Sequence, residues 1–105
     1  MIFAMKNHYD FVLIGFKTQT RRDSHRYQVG KTYAIQECRT CKGHPHKRIK
    51  ITRKWRESAP YTISWDDARE EGGFTPRKYE ELYNKIHPNW NGRWCYKFMI
   101  VDGEQ

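Results

Sequence analysis

The segment that most constrains the fold is the run 48–56, in which apolar and charged residues alternate. The odd-numbered positions hold Ile49, Ile51 and Trp55, together with Arg53. The even-numbered positions are basic except for Thr52. A period of two is typical of a β-strand with one buried face and one solvated face. We therefore expect a sheet whose outer face carries a row of cations, which are Arg48, Lys50, Lys54 and Arg56.

Local signals divide the rest of the chain into short elements. Asn7 can cap a helix over 8–14, Ser64-x-x-Asp67 is a capping box for a second helix, and Thr75 caps a third. Further strands are expected at 2–5, 17–22, 32–36 and 94–101. Strands, then helices, then a closing strand predict an α+β domain around a small curled or closed sheet.

The charge is concentrated in one half of the chain. The net charge is +8, and residues 1–56 hold 14 basic and 3 acidic side chains, whereas residues 57–105 hold 6 basic and 9 acidic ones. Such an excess indicates a polyanionic partner, nucleic acid before acidic membrane, although a solvated face is the alternative. Cations about 6.6 Å apart on a strand can follow phosphates. The candidate nucleic-acid-binding residues are Lys17, Arg21, Arg22, Arg26, Arg48, Lys50, Lys54 and Arg56.

Length and composition limit the class of protein. A chain of 105 residues has room for one domain, residues 1–105. No apolar run approaches the ~20 residues that a membrane-spanning helix requires. The start of the chain lacks a signal-peptide core, and an odd count of three cysteines does not favour a disulfide framework. We therefore expect a cytoplasmic protein; the sequence does not indicate its oligomeric state.

The loop 38–46 contains the only candidate metal site in the sequence. Cys38-x-x-Cys41 has the spacing of a zinc knuckle, and His44 and His46 follow within the same loop. Four ligands from so tight a loop would strain a tetrahedral site. A distant ligand can replace one of them, the candidates being His25, His87 and Cys95. Structural zinc is thus one interpretation, and an exposed hairpin tip with free thiols is the other; no further cofactor is indicated.

The segment 17–22 combines an amine, two hydroxyls and two guanidiniums. A threonine hydroxyl becomes a nucleophile if a base activates it, and Lys17 can be that base if burial lowers its pKa. Glu71, or its neighbour Glu70, can supply a proton to a leaving amine. Strict alternation would place Lys17 and Thr20 on opposite faces, so a shared pocket requires a bend, a bulge or the end of a strand. The alternative is a polar edge strand without chemistry.

Three motifs occur in order along the chain, followed by an aromatic-rich closing strand. They are Gly15-x-Lys17-Thr18-x-Thr20-x-Arg22, Val29-Gly30-Lys31 and Asp67-Ala68-Arg69-x-Glu71-Gly72. From about residue 5 to residue 101 this order resembles the ASCH domain family of the PUA-like superfamily. The resemblance implies a small, pseudo-closed β-barrel with flanking short helices and a cleft lined by the first and third motifs.

The same resemblance implies binding of RNA or of a modified nucleoside. A subset of the family are small amidohydrolases that remove the acetyl group of N4-acetylcytidine. Carried over by motif position, Lys17 would be the base, Thr20 the nucleophile and Glu71 the proton donor. Arg22 matches the arginine of the motif and would hold an anionic or carbonyl group of the ligand.

Three functions therefore follow from the sequence. The first is an RNA- or nucleoside-binding module with a base-sized cleft and a basic strand for phosphates, and the second is the amidohydrolase. The third is a protein-interaction module whose acidic half binds a basic partner. The acidic residues concerned are more simply explained as helix-start and solvated charges; they are Asp66, Asp67, Glu80 and Glu81.

Overall fold

The computed structural model describes residues 1–103, in which three short helices accompany a four-stranded antiparallel sheet. The strand order is β1-β4-β3-β2. In chain order the elements are α1 (His8–Leu13), β1 (Gln19–Arg22), β2 (Thr32–Ala34), β3 (Lys47–Ser58), α2 (Trp65–Glu70), α3 (Pro76–Ile86) and β4 (Gly92–Asp102). The predicted α+β class is confirmed.

The sheet is open, which corrects the expectation of a pseudo-closed barrel. Its edge strands β1 and β2 have only four and three residues and do not pair with each other within the described part of the chain. The expected strand at 2–5 is reduced to one parallel bridge between Ile2 and Gln36. Elements this short cannot extend far enough to close a barrel.

Most helix signals in the sequence are accurate. Ser64 Oγ accepts a hydrogen bond from the Asp67 amide at 3.1 Å, and Thr75 Oγ1 accepts one from the Lys78 amide at 3.2 Å. Asn7 precedes α1 with φ at 70°, and its side chain makes no capping bond. Asn tolerates this left-handed conformation better than most residues, which explains its position. None of the helices within 1–103 is long and apolar enough to cross a membrane.

The strand β3 corrects the expectation of a single basic face. Ile51 pairs with Phe98 but Arg53 pairs with Lys97, so Thr52 is an extra residue opposite the continuous β4. An extra residue reverses the alternation of side chains beyond it. Lys54 consequently lies on the same face as Ile51, although strict alternation along 48–56 was expected to place them on opposite faces.

The bulge at Thr52 divides the basic residues of β3 between two sides of the sheet. We call the side that carries Thr20 and Arg22 the cavity face and the other side the far face. Since Lys54 pairs with Tyr96 opposite Thr20, and Arg56 pairs with Trp94 opposite Arg22, both cations lie on the cavity face. Arg48 and Lys50 lie on the far face.

Two apolar clusters hold these elements together. The larger one lies on the cavity face and under α1; its buried members are Met1, Phe3, Val12, Tyr27, Ile35, Ile49, Ile51, Tyr96 and Phe98. The smaller one lies where α2 packs on α3, around Ile63, Ala68, Tyr79 and Tyr83. Aromatic rings supply much of both cores, which compensates for the low content of aliphatic residues.

A buried ion-pair network connects the sheet to α3. Glu57 accepts hydrogen bonds from Arg21 at 2.7 and 3.0 Å and from Arg93 Nε at 2.8 Å. Arg93 also donates to both oxygens of Glu80 at 2.8 Å, so Glu80 is not the solvated charge expected from the sequence. The side chains of both arginines are fully buried.

Replacement of Glu57 by alanine should destabilise the domain severely. The change leaves Arg21 and Arg93 buried beside each other without their shared carboxylate, and breaking a buried pair costs ~3–5 kcal/mol. Chemical denaturation monitored by circular dichroism measures the loss. Glu81→Ala is the control, because the pair that Glu81 forms with Arg77 is exposed and its loss should change stability by ~0.5 kcal/mol or less. Equal effects of the two substitutions would contradict a structural role for the network.

Candidate functional site

A cavity of about 560 Å³ opens beside the edge strand β1. Phe3 and Met5 form one apolar wall, and Phe74 and Leu82 form another. Five polar residues of the lining come from the segment 17–22 and from the third sequence motif; they are Lys17, Thr20, Arg21, Arg22 and Glu71. The geometry therefore brings the three candidate catalytic residues to one cavity.

Lys17 and Glu71 are in direct contact inside this cavity. Lys17 Nζ donates to Glu71 Oε1 at 3.0 Å and to the Glu71 carbonyl oxygen at 2.5 Å, and both side chains are almost fully buried. Lys17 precedes the first residue of β1, so strand alternation does not apply to it. The shared pocket thus lies at a strand end, one of the three arrangements that the sequence required.

The second oxygen of Glu71 is held by another cation. Arg21 NH1 donates to Glu71 Oε2 at 2.9 Å. Burial lowers the pKa of Lys17, and the nearby Glu71 carboxylate opposes that shift. A lysine with a lowered pKa loses its proton more readily than a lysine with the ordinary pKa. A general base must be unprotonated before it can accept a proton, so the lowered pKa favours this role. Glu71, with both oxygens accepting from cations, is arranged as an acceptor.

Thr20 and Arg22 complete the polar side of the cavity. Thr20 is 4% exposed, and its Oγ1 accepts a hydrogen bond from Arg22 Nε at 3.1 Å. Arg22 NH2 donates to the carbonyl oxygen of Ile2 at 2.6 Å, which ties β1 to the N-terminal segment. The Thr20 hydroxyl proton has no acceptor within residues 1–103 and is available to a ligand.

Arg21 does not lie on the basic surface predicted for it. Its side chain is fully buried and bonded to Glu57, Gln19 and Glu71. The Glu57 and Glu71 carboxylates raise the pKa of Arg21 despite its burial. Three acceptors occupy its guanidinium, and its hydrogen bond to Glu71 Oε2 orients that carboxylate.

The remaining predicted phosphate contacts are spread over the surface. Lys54 Nζ lies 4.9 Å and the Arg56 guanidinium 5.5 Å from the Trp94 ring, on the cavity face. Arg26 is exposed and donates to the Tyr27 hydroxyl at 2.8 Å. Arg48 and Lys50 are on the far face, so the eight candidates do not form one continuous surface.

One solved structure identifies the fold. No family model matches the sequence, and no curated protein matches it. The crystal structure of an ASCH domain from Lactobacillus crispatus JV V101 matches with a TM-score of 0.73 and 17% identity, over 90% of this chain and 70% of that chain. The chain has the fold of an ASCH domain. The ASCH-like fold expected from the three motifs is therefore confirmed, with an open sheet in place of the expected pseudo-closed barrel.

The zinc site considered from the sequence is not assembled in this ASCH-like domain. Cys38 and Cys41 form a disulfide, which the odd cysteine count did not lead us to expect. His44 Nδ1 accepts hydrogen bonds from the amides of His46 and Lys47 at 3.1 and 3.0 Å, which shapes the turn. Across residues 1–103 no group of three or more potential ligands converges.

Sequence reasoning missed His8 as a component of the cavity of the ASCH-like domain. It is 5% exposed and contacts the rings of Phe11 and Phe74. Burial, reinforced by the charge of Lys17, lowers the pKa of His8 to about 4. Gly72 leaves room for this ring, because a Cβ there would lie 2.9 Å from His8, and its φ is 137°; no local pattern in the sequence links the two residues.

Acidification should destabilise the domain through His8. Since the folded-state pKa is lowered from 6.5 to about 4, only the unfolded chain takes up this proton between those values. Stability is therefore lost as the pH falls through that window, by up to roughly 3 kcal/mol. His8→Phe keeps a ring against Phe11 and Phe74 and should flatten the dependence, as measured by denaturation at several pH values. Parallel pH profiles for the two proteins would disprove the assignment.

Proposed function

We propose that this ASCH-like domain binds a nucleoside in the cavity beside β1 and holds the adjoining RNA with cations of the cavity face. The observation that carries the proposal is a cavity of about 560 Å³ whose apolar walls end at buried polar groups. Small-molecule sites typically have volumes of roughly 300–1,000 Å³ and a few polar groups within an apolar lining.

The polar groups offer both donors and acceptors to the edge of a base. Lys17 Nζ uses two of its three N–H groups on Glu71, so the third can donate to a carbonyl oxygen. Thr20 can donate its hydroxyl proton, and Glu71 can accept from an exocyclic amine. Phe74 supplies an aromatic face, and any base can stack on such a face.

The surface next to the cavity supports an extended ligand. Arg22, Trp94 and Arg56 lie in one row across β1, β4 and β3 on the cavity face. Trp94 is half-buried and Arg56 is exposed. An indole between two guanidiniums suits a neighbouring nucleotide, because the cations can contact phosphate while the ring contacts a base.

Nucleoside binding should depend on the buried polar groups. Titration calorimetry with cytidine, uridine and N4-acetylcytidine should detect a complex with at least one of them. Thr20→Val removes the available donor and should weaken binding about tenfold, since an unpaired polar group of the ligand costs ~1–3 kcal/mol. Glu71→Gln should weaken it further, because it replaces a carboxylate acceptor.

The matched control for Glu71→Gln is Glu81→Gln, which makes the same change on the exposed side of α3. Circular dichroism establishes that each variant is folded before binding is compared. Equal affinity of wild type, Thr20→Val and Glu71→Gln for the bound nucleoside would place the ligand elsewhere. No detectable binding of any nucleoside or oligonucleotide would refute the proposal.

A specific observation also favours a second function, hydrolysis of an acylated nucleoside. Burial lowers the pKa of Lys17, and Thr20 lines the same cavity. In this mechanism neutral Lys17 takes the hydroxyl proton, and Thr20 Oγ forms a bond to the acetyl carbon of N4-acetylcytidine. The C–N4 bond then breaks, and Lys17 returns the proton to N4. Water hydrolyses the acyl-threonine to acetate.

In this scheme Lys17 is a better proton donor than Glu71, whose two oxygens already accept from cations. If the reaction occurs, chromatography should show cytidine and acetate formed from N4-acetylcytidine. Thr20→Val should abolish turnover, and Lys17→Met should reduce it by at least ~10²-fold, as expected for loss of a general base. No turnover by wild type, with binding retained, would leave nucleoside binding as the function.

A further inference from the structure

The far face of the sheet carries an exposed group of side chains that the cavity does not use. Lys50 pairs with Met99, and Arg53 pairs with Lys97, so these four residues lie on one side of β3 and β4. Lys50 and Arg53 are exposed, and Met99 is 52% exposed. Arg48 extends the group along β3.

The cations of this group are largely unneutralised. Arg48 donates to the hydroxyl and carbonyl oxygens of Thr32, which are neutral acceptors. Within residues 1–103, neither Lys50 nor Arg53 has a carboxylate partner. Lys97 pairs with Glu70 at 3.3 Å on the side nearer α2. The patch therefore presents net positive charge to solvent.

An aromatic ring and an apolar side chain lie among the cations of this face. The Arg53 guanidinium lies 4.5 Å from the centroid of the half-buried Trp55 ring, and the Met99 side chain lies next to Lys50. Surfaces that bind single-stranded nucleic acid combine cations along the backbone with planar groups for bases. Arg48 and Lys50 lie two positions apart on the same face of β3, a spacing of about 6.6 Å, which suits successive phosphates of an extended RNA chain.

We propose that Arg48, Lys50, Arg53 and Met99 form a second binding site, for single-stranded RNA, on the sheet face opposite the cavity. None of these four residues lines the cavity, so each site can take a ligand of its own. One chain can thus hold two segments of RNA, one by a nucleoside in the cavity and the other by its backbone.

One methionine lies in each proposed site, so the two methyl signals report separately on binding at the two sites. Met5 lines the cavity, and Met99 lies in the far-face site. In protein labelled with ¹³C at the methionine methyl groups, a saturating nucleoside should shift the Met5 signal and leave the Met99 signal unchanged. A short oligouridylate added afterwards at low salt should shift the Met99 signal while the cavity stays occupied.

The variant Lys50→Glu/Arg53→Glu should weaken the Met99 response at least about tenfold, because it reverses two cations at the site. Its response to nucleoside at Met5 should stay unchanged. Lys78→Glu/Lys85→Glu, two exposed lysines of α3, makes the same change in net charge and should reduce the Met99 response less than about twofold.

Two results would overturn the far-face site. One is a Met99 signal that oligouridylate does not shift at low salt. The other is an equal loss of affinity in the α3 control, which would show a general effect of net charge. Because Met5 reports on the nucleoside separately, failure of the far-face site and failure of the cavity proposal are distinguishable.

Discussion

A chain of buried charges that alternate in sign organises this domain. In order of contact its members are Lys17, Glu71, Arg21, Glu57, Arg93 and Glu80. An isolated charge in this interior would carry a large desolvation cost, so each member is tolerable only beside its neighbours. The chain links β1, β3 and β4 to α3 and to the end of α2, although few apolar side chains are available to do so. The position of Glu71 in the cavity is therefore fixed by residues far from it in sequence.

This arrangement couples the candidate site to folding. Glu71 receives its orientation from Lys17 on one oxygen and from Arg21 on the other, and Arg21 is oriented in turn by Glu57. Substitutions within such a network are not additive, because the loss of one member leaves another unpaired. An effect on ligand binding can thus arise from any member, and only residues outside the network, such as Thr20, separate recognition from stability.

The sequence predicted what local patterns determine. The capping residues Ser64 and Thr75 predicted α2 and α3 because a cap and its helix lie within a few residues of each other. The motif order predicted the fold, and the position of Lys17 ahead of β1 explains how it lines the same cavity as Thr20. Arg21 was predicted at the surface because no local pattern identifies its carboxylate partner Glu57, which is 36 residues away.

The disulfide escaped prediction for a different reason. The spacing CxxC is compatible with a metal site, with free thiols or with a bond between the sulfurs.

The bulge at Thr52 has the largest consequence among the features that the sequence did not indicate. Without it, strict alternation would place all four cations Arg48, Lys50, Lys54 and Arg56 on one face. With it, Lys54 and Arg56 lie over Trp94 on the cavity face, whereas Arg48 and Lys50 stay on the far face. The positive charge is thereby presented on both sides of a thin sheet. The bulge therefore leaves basic side chains accessible to solvent on both faces, since Lys50 and Arg53 are exposed on one and Arg56 on the other.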